Sequence, residues 1–400
     1  MAVIGSGVSG LGAAYLLARA HEVEVFERDE RPGGHTRTIR KNGTALDTGF
    51  LVHNERNYPL LTRLLAELGV RTQESEMSFS VSCGCGLEYS GRHPFAQPRR
   101  LADLRFHSLL WEVTRWLRTA RRSLEELDCE GWSLERYLDE RRFSARFRRH
   151  FIVPLTSALW STAPGRALEY PAAAAIRFFD NHGMLGFGRF RWRYVTGGSD
   201  TYVRELADML GGRLRVGLGV RSVRRGVDGV ELTTEDGGRR RFDAVVVATH
   251  ADQALGLLED PSAEETDVLR NFGYTRNEAI LHTDASLLPR TAAARASWNY
   301  RLAEDGRAGI TYYLNRLQRL ESDLDYCVTL NEPVAEEHVL DRGVFEHPLF
   351  TVPALAAQKR LPALSGARRT YFAGAYHGNG FHEDGLASGV RAAAALGVEW

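Results

Sequence analysis

Three glycines spaced Gly5-x-Gly7-x-x-Gly10 lie between an apolar run, Ala2-Val3-Ile4, and a helical stretch from Leu11 to Arg19. Strand, glycine turn and helix in that order are what a dinucleotide pyrophosphate needs. The first glycine permits the tight turn, and the second lets backbone approach the phosphates. The third lets the helix pack close, and the helix N-terminus favours the phosphate charge. Glu27 ends the alternating segment Val23-Glu24-Val25-Phe26, where a carboxylate would accept hydrogen bonds from ribose hydroxyls. Ser9 in the turn and Arg28 beside Glu27 join the candidate cofactor contacts. Alone, the triplet does not separate a flavin from a nicotinamide dinucleotide.

Further segments point to a flavin. Arg31-Pro32-Gly33-Gly34, followed by His35 and Thr36, supplies a second glycine pair that can lie against a diphosphate or flavin. The apolar strand Phe242 to Thr249, with Ala248 near its end, suits a return of the chain to the cofactor. Tyr371-Phe372-Ala373-Gly374 leads to a glycine-rich turn and a terminal helix carrying His382, Gly385 and Ala387. Small residues at that helix start would turn backbone N–H groups toward an oxygen-rich part of the ring system. Gly49, Phe50 and Val220 complete the candidate cofactor set. Gly217-Leu218-Gly219 is followed by a strand and not a helix, so no second nicotinamide fingerprint is expected.

Candidate catalytic groups gather before the terminal helix: Tyr376, His377 and Phe381, with Asn379 and His382 beside them. His377 is of a type that exchanges protons near neutrality, or else it makes a structural hydrogen bond. His53-Asn54 is a second polar pair. Trp298, Tyr300, Tyr312 and Tyr313 either line an apolar cavity or pack a core. Cys83-Gly84-Cys85 offers half a metal site or a redox pair. No second cysteine pair and no nearby histidine in the sequence completes a ligand set, so no metal is expected. The four cysteines do not make a disulfide framework in a chain of 400 residues.

Positioning such groups takes a chain with two cores, which this length and a 44% hydrophobic content allow. Lys+Arg and Asp+Glu both number 51, and that balance gives no reason to expect nucleic acid as a partner. No run of about 20 apolar residues predicts a membrane span. The opening on an apolar strand argues against secretion, so a cytoplasmic location is expected. The pattern predicts helices over 57–68, 201–210 and 384–396, and a helical, arginine-rich stretch from Arg99 to Arg149. Strands are predicted over 213–223, 230–234, 277–283 and 308–314. Phe106, Leu109, Leu110, Val113 and Leu117 share one helical face, ringed by Arg99, Arg100, Arg105, Arg115, Arg118, Arg121 and Arg122, with Trp111 and Trp116 nearby. Either that face packs on the protein or the helix docks on an anionic membrane surface.

The chain resembles the glutathione-reductase-type FAD superfamily, in the branch of flavin monoamine oxidases, phytoene desaturases and protoporphyrinogen oxidase. Within that branch it is similar to bacterial NAD/FAD-binding, amine-oxidase-like proteins. The marks are Asp47-Thr48-Gly49-Phe50, Met77-Ser78-Phe79-Ser80-Val81, Ser297-Trp298-Asn299-Tyr300 and Asn315-Arg316-Leu317-Gln318, spread over essentially the whole chain. The resemblance implies an α/β fold: an FAD-binding Rossmann domain (1–85, 190–250 and 345–400) and a substrate domain of mixed sheet and helices (86–189 and 251–344). It implies non-covalent FAD, since no cysteine follows Cys327 where covalent monoamine oxidases attach it. Genes of such proteins often lie beside cyclopropane-fatty-acid-synthase-like methyltransferases, which implies a lipid or fatty-acyl substrate.

The departures carry weight too. The family's Gly-Thr-Glu near the C-terminus is Gly374-Ala375-Tyr376 here, and an arginine after the second glycine pair is His35. Phe381 stands where amine oxidases place a tyrosine of their aromatic cage. Their active-site lysine has no counterpart around Asn277-Glu278-Ala279-Ile280, because Lys41 and Lys359 are the only lysines. The expected activity is therefore FAD-dependent hydride transfer on a C–C bond of a hydrophobic substrate, by desaturation, saturation or isomerisation. Amine oxidation, and service as a flavin-binding partner subunit of a lipid methyltransferase, are the alternatives.

Overall fold

The computed structural model describes residues 1–126, 129–186 and 190–400; residues 127–128, inside the predicted helical stretch, and 187–189 lie outside this description. Five short strands form a parallel sheet: β1 (Ala2–Ile4), β2 (Glu24–Phe26), β3 (Leu214–Arg215), β4 (Val245–Val247) and β5 (Thr370–Phe372), in the order β3-β2-β1-β4-β5. All four pairings are parallel. Ala2, Val3, Val25, Val245, Val246 and Val247 are fully buried, which is why these strands read as continuous apolar runs and not as alternation.

The helix α1 (Val8–Leu17) runs beneath this sheet, and the terminal helix α3 (His382–Ala395) packs on it. A Cβ at Gly389 would stand 2.2 Å from the Ser9 carbonyl oxygen, so glycine there sets how closely the two helices approach. The predicted strand over 213–223 is two strands. Arg215 ends the parallel sheet, Gly217 turns at φ +67°, and Val220–Arg225 begins a separate antiparallel meander with Val230–Thr234 and Arg239–Phe242. The chain changes sheets at that glycine, which a single apolar pattern does not reveal.

A seven-stranded mixed sheet stands apart from the parallel one. Its order is Val339–Leu349, Gly273–His282, Cys327–Leu330, Ala308–Tyr313, Trp298–Leu302, Phe79–Cys83 and Leu87–Ser90. Every pairing in it is antiparallel except Trp298–Leu302 with Phe79–Cys83.

The arginine-rich stretch forms several helices, of which α2 (Leu104–Glu126) is the longest. Phe106 and Leu109 of the apolar face are fully buried, and Leu110, Val113 and Leu117 pack partly buried against the same core. Trp116 lies inside that core with Tyr137, Phe147 and Phe179 around it, whereas Trp111 points out and is 63% exposed. The helix thus buries the face its periodicity marks. No helix among the described residues is long and apolar enough to cross a membrane.

Candidate functional site

The turn between β1 and α1 is built by its glycines. Gly5 sits at φ +97°, where a Cβ would meet the Ala248 carbonyl oxygen at 2.7 Å, and a Cβ on Gly10 would meet the Gly5 oxygen at 1.9 Å. Gly7 is different: its φ is −65°, and a Cβ there meets no protein atom within 4 Å. Two of the three glycines therefore serve packing, and the third faces space left for something else. Glu27 closes this end. One carboxylate oxygen accepts from Ser6 N–H (2.9 Å) and Ser6 Oγ–H (2.5 Å), and the other accepts from Asp29 N–H (2.9 Å).

Gly5, Gly7 and Ser9 line one end of a cavity of about 630 Å³ with Glu27 and Arg28. Gly33, Gly34 and His35 line it from the next turn, Gly49 and Phe50 from the Asp47 segment, and Ala248 and Gly374 from the ends of β4 and β5. Tyr376, Phe381 and His382 also reach it. Gly10, Thr36, Val220, Gly385 and Ala387 do not line it. Gly10 is spent on the helix approach, and the Thr36 hydroxyl pairs with Tyr202 Oη at 2.7 Å. Val220 is buried in the core beneath the meander, and a Cβ at Gly385 would press on Val8 and Ser9 Oγ.

The three proposed catalytic residues separate. Phe381 faces the cavity and stacks on Phe178, centroids 4.7 Å apart and planes 20° apart. Tyr376 touches the cavity, but its ring packs against Phe272 in the core and its buried Oη has no partner. His377 does not line the cavity. The short 3₁₀ turn Ala375–His377 carries its ring behind Tyr376, and burial, with Arg391 nearby, pushes its pKa down to about 3. His382 does reach the cavity. It stacks on Phe50 at 4.0 Å and makes a hydrogen bond with Tyr202 Oη at 2.6 Å, and burial pushes it to about 3 as well. His53 and Asn54 are buried on a short strand outside the cavity, with both His53 ring nitrogens unpartnered. Trp298 and Tyr312 are register partners and line the cavity as an edge-to-face pair at 4.9 Å. Tyr300 lies farther along the strand in another core, and Tyr313, on the opposite face, donates its hydroxyl to Asp325.

Sequence reasoning named His35 but missed the two histidines that gather with it. His35, His250 and His347 gather at one wall, with ring centroids 6.2 Å (His35–His250) and 5.3 Å (His35–His347) apart. Burial lowers the pKa of all three, with His347 at about 4. Asn277 donates Nδ2 to His347 Nδ1 at 2.9 Å and accepts from Asn331 Nδ2 at 2.6 Å. A neutral amide network thus occupies the strand on which the resemblance leads one to seek a lysine. Phe178, His182, Met184 and Trp192 complete the aromatic wall, and only folding brings them there.

The arrangement fits a flavin dinucleotide. The open space at Gly7, the helix N-terminus behind it and the Glu27 carboxylate suit a pyrophosphate and a ribose, and an elongated apolar space continues beyond them.

The sequence profile of a family described as flavin-containing amine oxidoreductases matches residues 8–301. Protoporphyrinogen oxidase 2 (chloroplastic/mitochondrial) of Arabidopsis thaliana is 44% identical over 75 residues, 18% of this chain and 15% of that protein. The provisionally assigned flavin-containing monoamine oxidase AofH of Mycobacterium tuberculosis is 28% identical over 276 residues, and the match spans 65% of this chain and 58% of that protein. Among solved structures, a triple mutant of putrescine oxidase aligns with TM-score 0.76 and 16% identity, covering 99% of this chain and 98% of the other. A CLA-producing fatty acid isomerase from P. acnes aligns with TM-score 0.71 and 15% identity, covering 97% and 96%. At these identities the structural likeness establishes the fold.

Proposed function

The chain belongs to the flavin-containing amine oxidoreductase family, with FAD as its cofactor, and from that premise we propose an oxidoreductase that transfers hydride at a C–C bond of an uncharged, hydrophobic substrate, with fatty-acyl chains as the favoured class. The carrying observation is the charge of the cavity wall. Glu27 and Asp29 belong to the pyrophosphate end, and Glu346 stands 3.4 Å from His250; no other carboxylate among the described residues lines the cavity. Away from Glu346 and the histidines the wall is Leu51, Val52, Met77, Trp298, Tyr312 and their aromatic neighbours. An ammonium ion held against that part of the wall would lose its water without a counter-charge, at a cost of several kcal/mol.

Bound FAD supplies the hydride chemistry. The chain's own part is to exclude water, to hold an apolar chain flat against the aromatic wall and to place one bond at the reacting end. Phe381 and Phe178 offer a stacked surface for that. Trp298 Nε1 is buried without a partner, so it can donate to a carbonyl or hydroxyl oxygen and fix the register of the chain. With the imidazoles of the cavity lowered by burial, none of them is matched to shuttle protons at neutrality.

Putrescine oxidase and a fatty acid isomerase share this fold, so fold alone does not choose between substrate classes. Anaerobic titration of the FAD-loaded protein chooses. Unsaturated and saturated fatty-acyl esters, other neutral lipids and simple amines are added in turn while flavin absorbance is followed. Bleaching, or bond isomerisation detected by mass spectrometry, is expected with hydrophobic substrates and not with simple amines. Bleaching by an amine, with hydrogen peroxide on admission of air, would overturn the reading in favour of amine oxidation.

We further propose that apolar substrate is taken from a membrane surface through the outer face of α2 and the turn Pro98–Ala102 before it. Leu101, Leu104 and Trp111 are 61%, 83% and 63% exposed. Arg105 and Arg118 are exposed on the same side, and Arg115 lies over the Trp111 ring at 5.3 Å. Apolar side chains among arginines match an anionic lipid surface. In liposome flotation, binding should rise with anionic lipid, fall with salt and drop in a Leu104→Ser/Trp111→Ser double variant. Failure of the wild type to float with anionic vesicles at low salt would remove the idea.

A further inference from the structure

The hairpin at the edge of the mixed sheet carries Cys83, buried at the end of its first strand, and Cys85, exposed in the turn. Folding brings His150 to them from a part of the chain remote in sequence. The two sulfurs and a ring nitrogen of His150 all lie within 4.8 Å of one another. His150 is only 6% exposed, and its buried Nδ1 has no hydrogen-bond partner. The histidine sits in a single π-helical turn, Arg148–Ile152, and that segment is pinned by Tyr89 Oη donating to the His150 carbonyl at 2.6 Å. Such turns are frequent at functional sites. None of these residues takes part in the cofactor cavity, so a role for them does not depend on the proposed reaction.

We propose that Cys83, Cys85 and His150 form a zinc site, with the fourth position open to water. Two sulfurs and one imidazole nitrogen are the ligand types that zinc takes in tetrahedral geometry. Bonds of about 2.0–2.3 Å put tetrahedral ligand atoms roughly 3.5–3.8 Å apart. The present spacing, no more than 4.8 Å, therefore has to close by at most about an ångström, and Cys85 lies in an exposed turn. Binding expels the two thiol protons to solvent, forms two Zn–S bonds and takes the lone pair of a neutral imidazole. Because the thiols must lose their protons on binding, uptake strengthens with pH. Arg146 and Arg149 precede His150 in the chain. With two thiolates the metal centre is neutral overall, so these cations do not repel it. Occupied, the site would clip the sheet edge to the helical layer.

The test uses untagged, FAD-loaded protein incubated with zinc chloride alone, passed through gel filtration with a weak chelator and analysed for metal. About one zinc per chain is expected for wild type, with a raised Tm, since a ligand that binds only the native state stabilises it. Cys85→Ser should lose the zinc and the Tm increment while keeping its FAD, because Cys85 is exposed and lies outside the cofactor cavity. Cys327→Ser, with its buried thiol elsewhere, should retain the zinc. Zinc held equally by wild type and Cys85→Ser would overturn the site. So would absence of zinc together with a mass lower by two hydrogens, which would mark the pair as a disulfide.

Discussion

Gly7→Val is expected to yield a folded, colourless protein. A valine Cβ at this position meets no protein atom within 4 Å, and φ of −65° with ψ of 178° suits a β-branched residue. The protein alone therefore loses only the difference between glycine and valine at a helix N-cap, about 1 kcal/mol. The dinucleotide loses far more, because the side chain occupies the space over the N-terminus of α1 where the pyrophosphate would lie. FAD content should fall by at least about 100-fold in affinity, the equivalent of roughly 3 kcal/mol. Far-UV circular dichroism should stay native. Gly10→Val is the contrasting variant: its Cβ would stand 1.9 Å from the Gly5 oxygen, so it should fail to fold whether or not FAD is present. A yellow Gly7→Val protein with full flavin would show that the pyrophosphate lies elsewhere.

The cofactor end was legible in the sequence because its chemistry is local. Gly5, Gly7, Gly10 and Glu27 fall within one strand-turn-helix-strand unit, and the roles of the glycines follow from backbone geometry. The substrate wall is not local. Phe178 comes from a helix, Trp192 from a short strand and His347 from the longest strand of the mixed sheet, and no spacing announces their meeting. His377 and His382 show a finer limit. They lie on either side of a glycine-rich turn, and a 3₁₀ turn carries one ring into the core while α3 starts with the other at the cavity. Composition does not tell such neighbours apart. His150 shows the same limit in another form, since a histidine near Cys85 in space was sought near it in sequence.

Acidification should unfold the protein steeply between about pH 5.5 and pH 4, with proton uptake on the order of five. His53, His150, His282 and His347 are held at about 4, and His377 and His382 at about 3, in each case chiefly by burial. An imidazole whose folded pKa lies below its unfolded value costs nothing above about pH 6.5. As pH falls through that value the unfolded chain protonates first, and stability is lost until the folded pKa is reached. Asp47 works in the opposite direction. It is fully buried, and burial raises it to about 7 although Ser199 N–H, Ser199 Oγ and Thr38 Oγ all donate to it. Its folded form is protonated at pH 5 while its unfolded form is not, so it cancels one of the six histidine protons. His35, His182 and His250 are lowered and Glu332, Glu383 and Asp384 raised, and these two groups act against each other. A net uptake of about five protons corresponds to a loss of about 7 kcal/mol per pH unit, against a total stability of roughly 5–15 kcal/mol. Two variants move the slope in opposite directions. His282 holds a fixed tautomer, accepting from Asp284 N–H through Nδ1 and meeting Thr329 Oγ through Nε2, so His282→Gln should lower the uptake by about one proton. Asp47→Asn keeps an oxygen for the same donors and should raise it by about one. Urea titrations at several pH values measure the slope, and equal slopes in wild type and both variants would show that these buried groups do not govern acid stability.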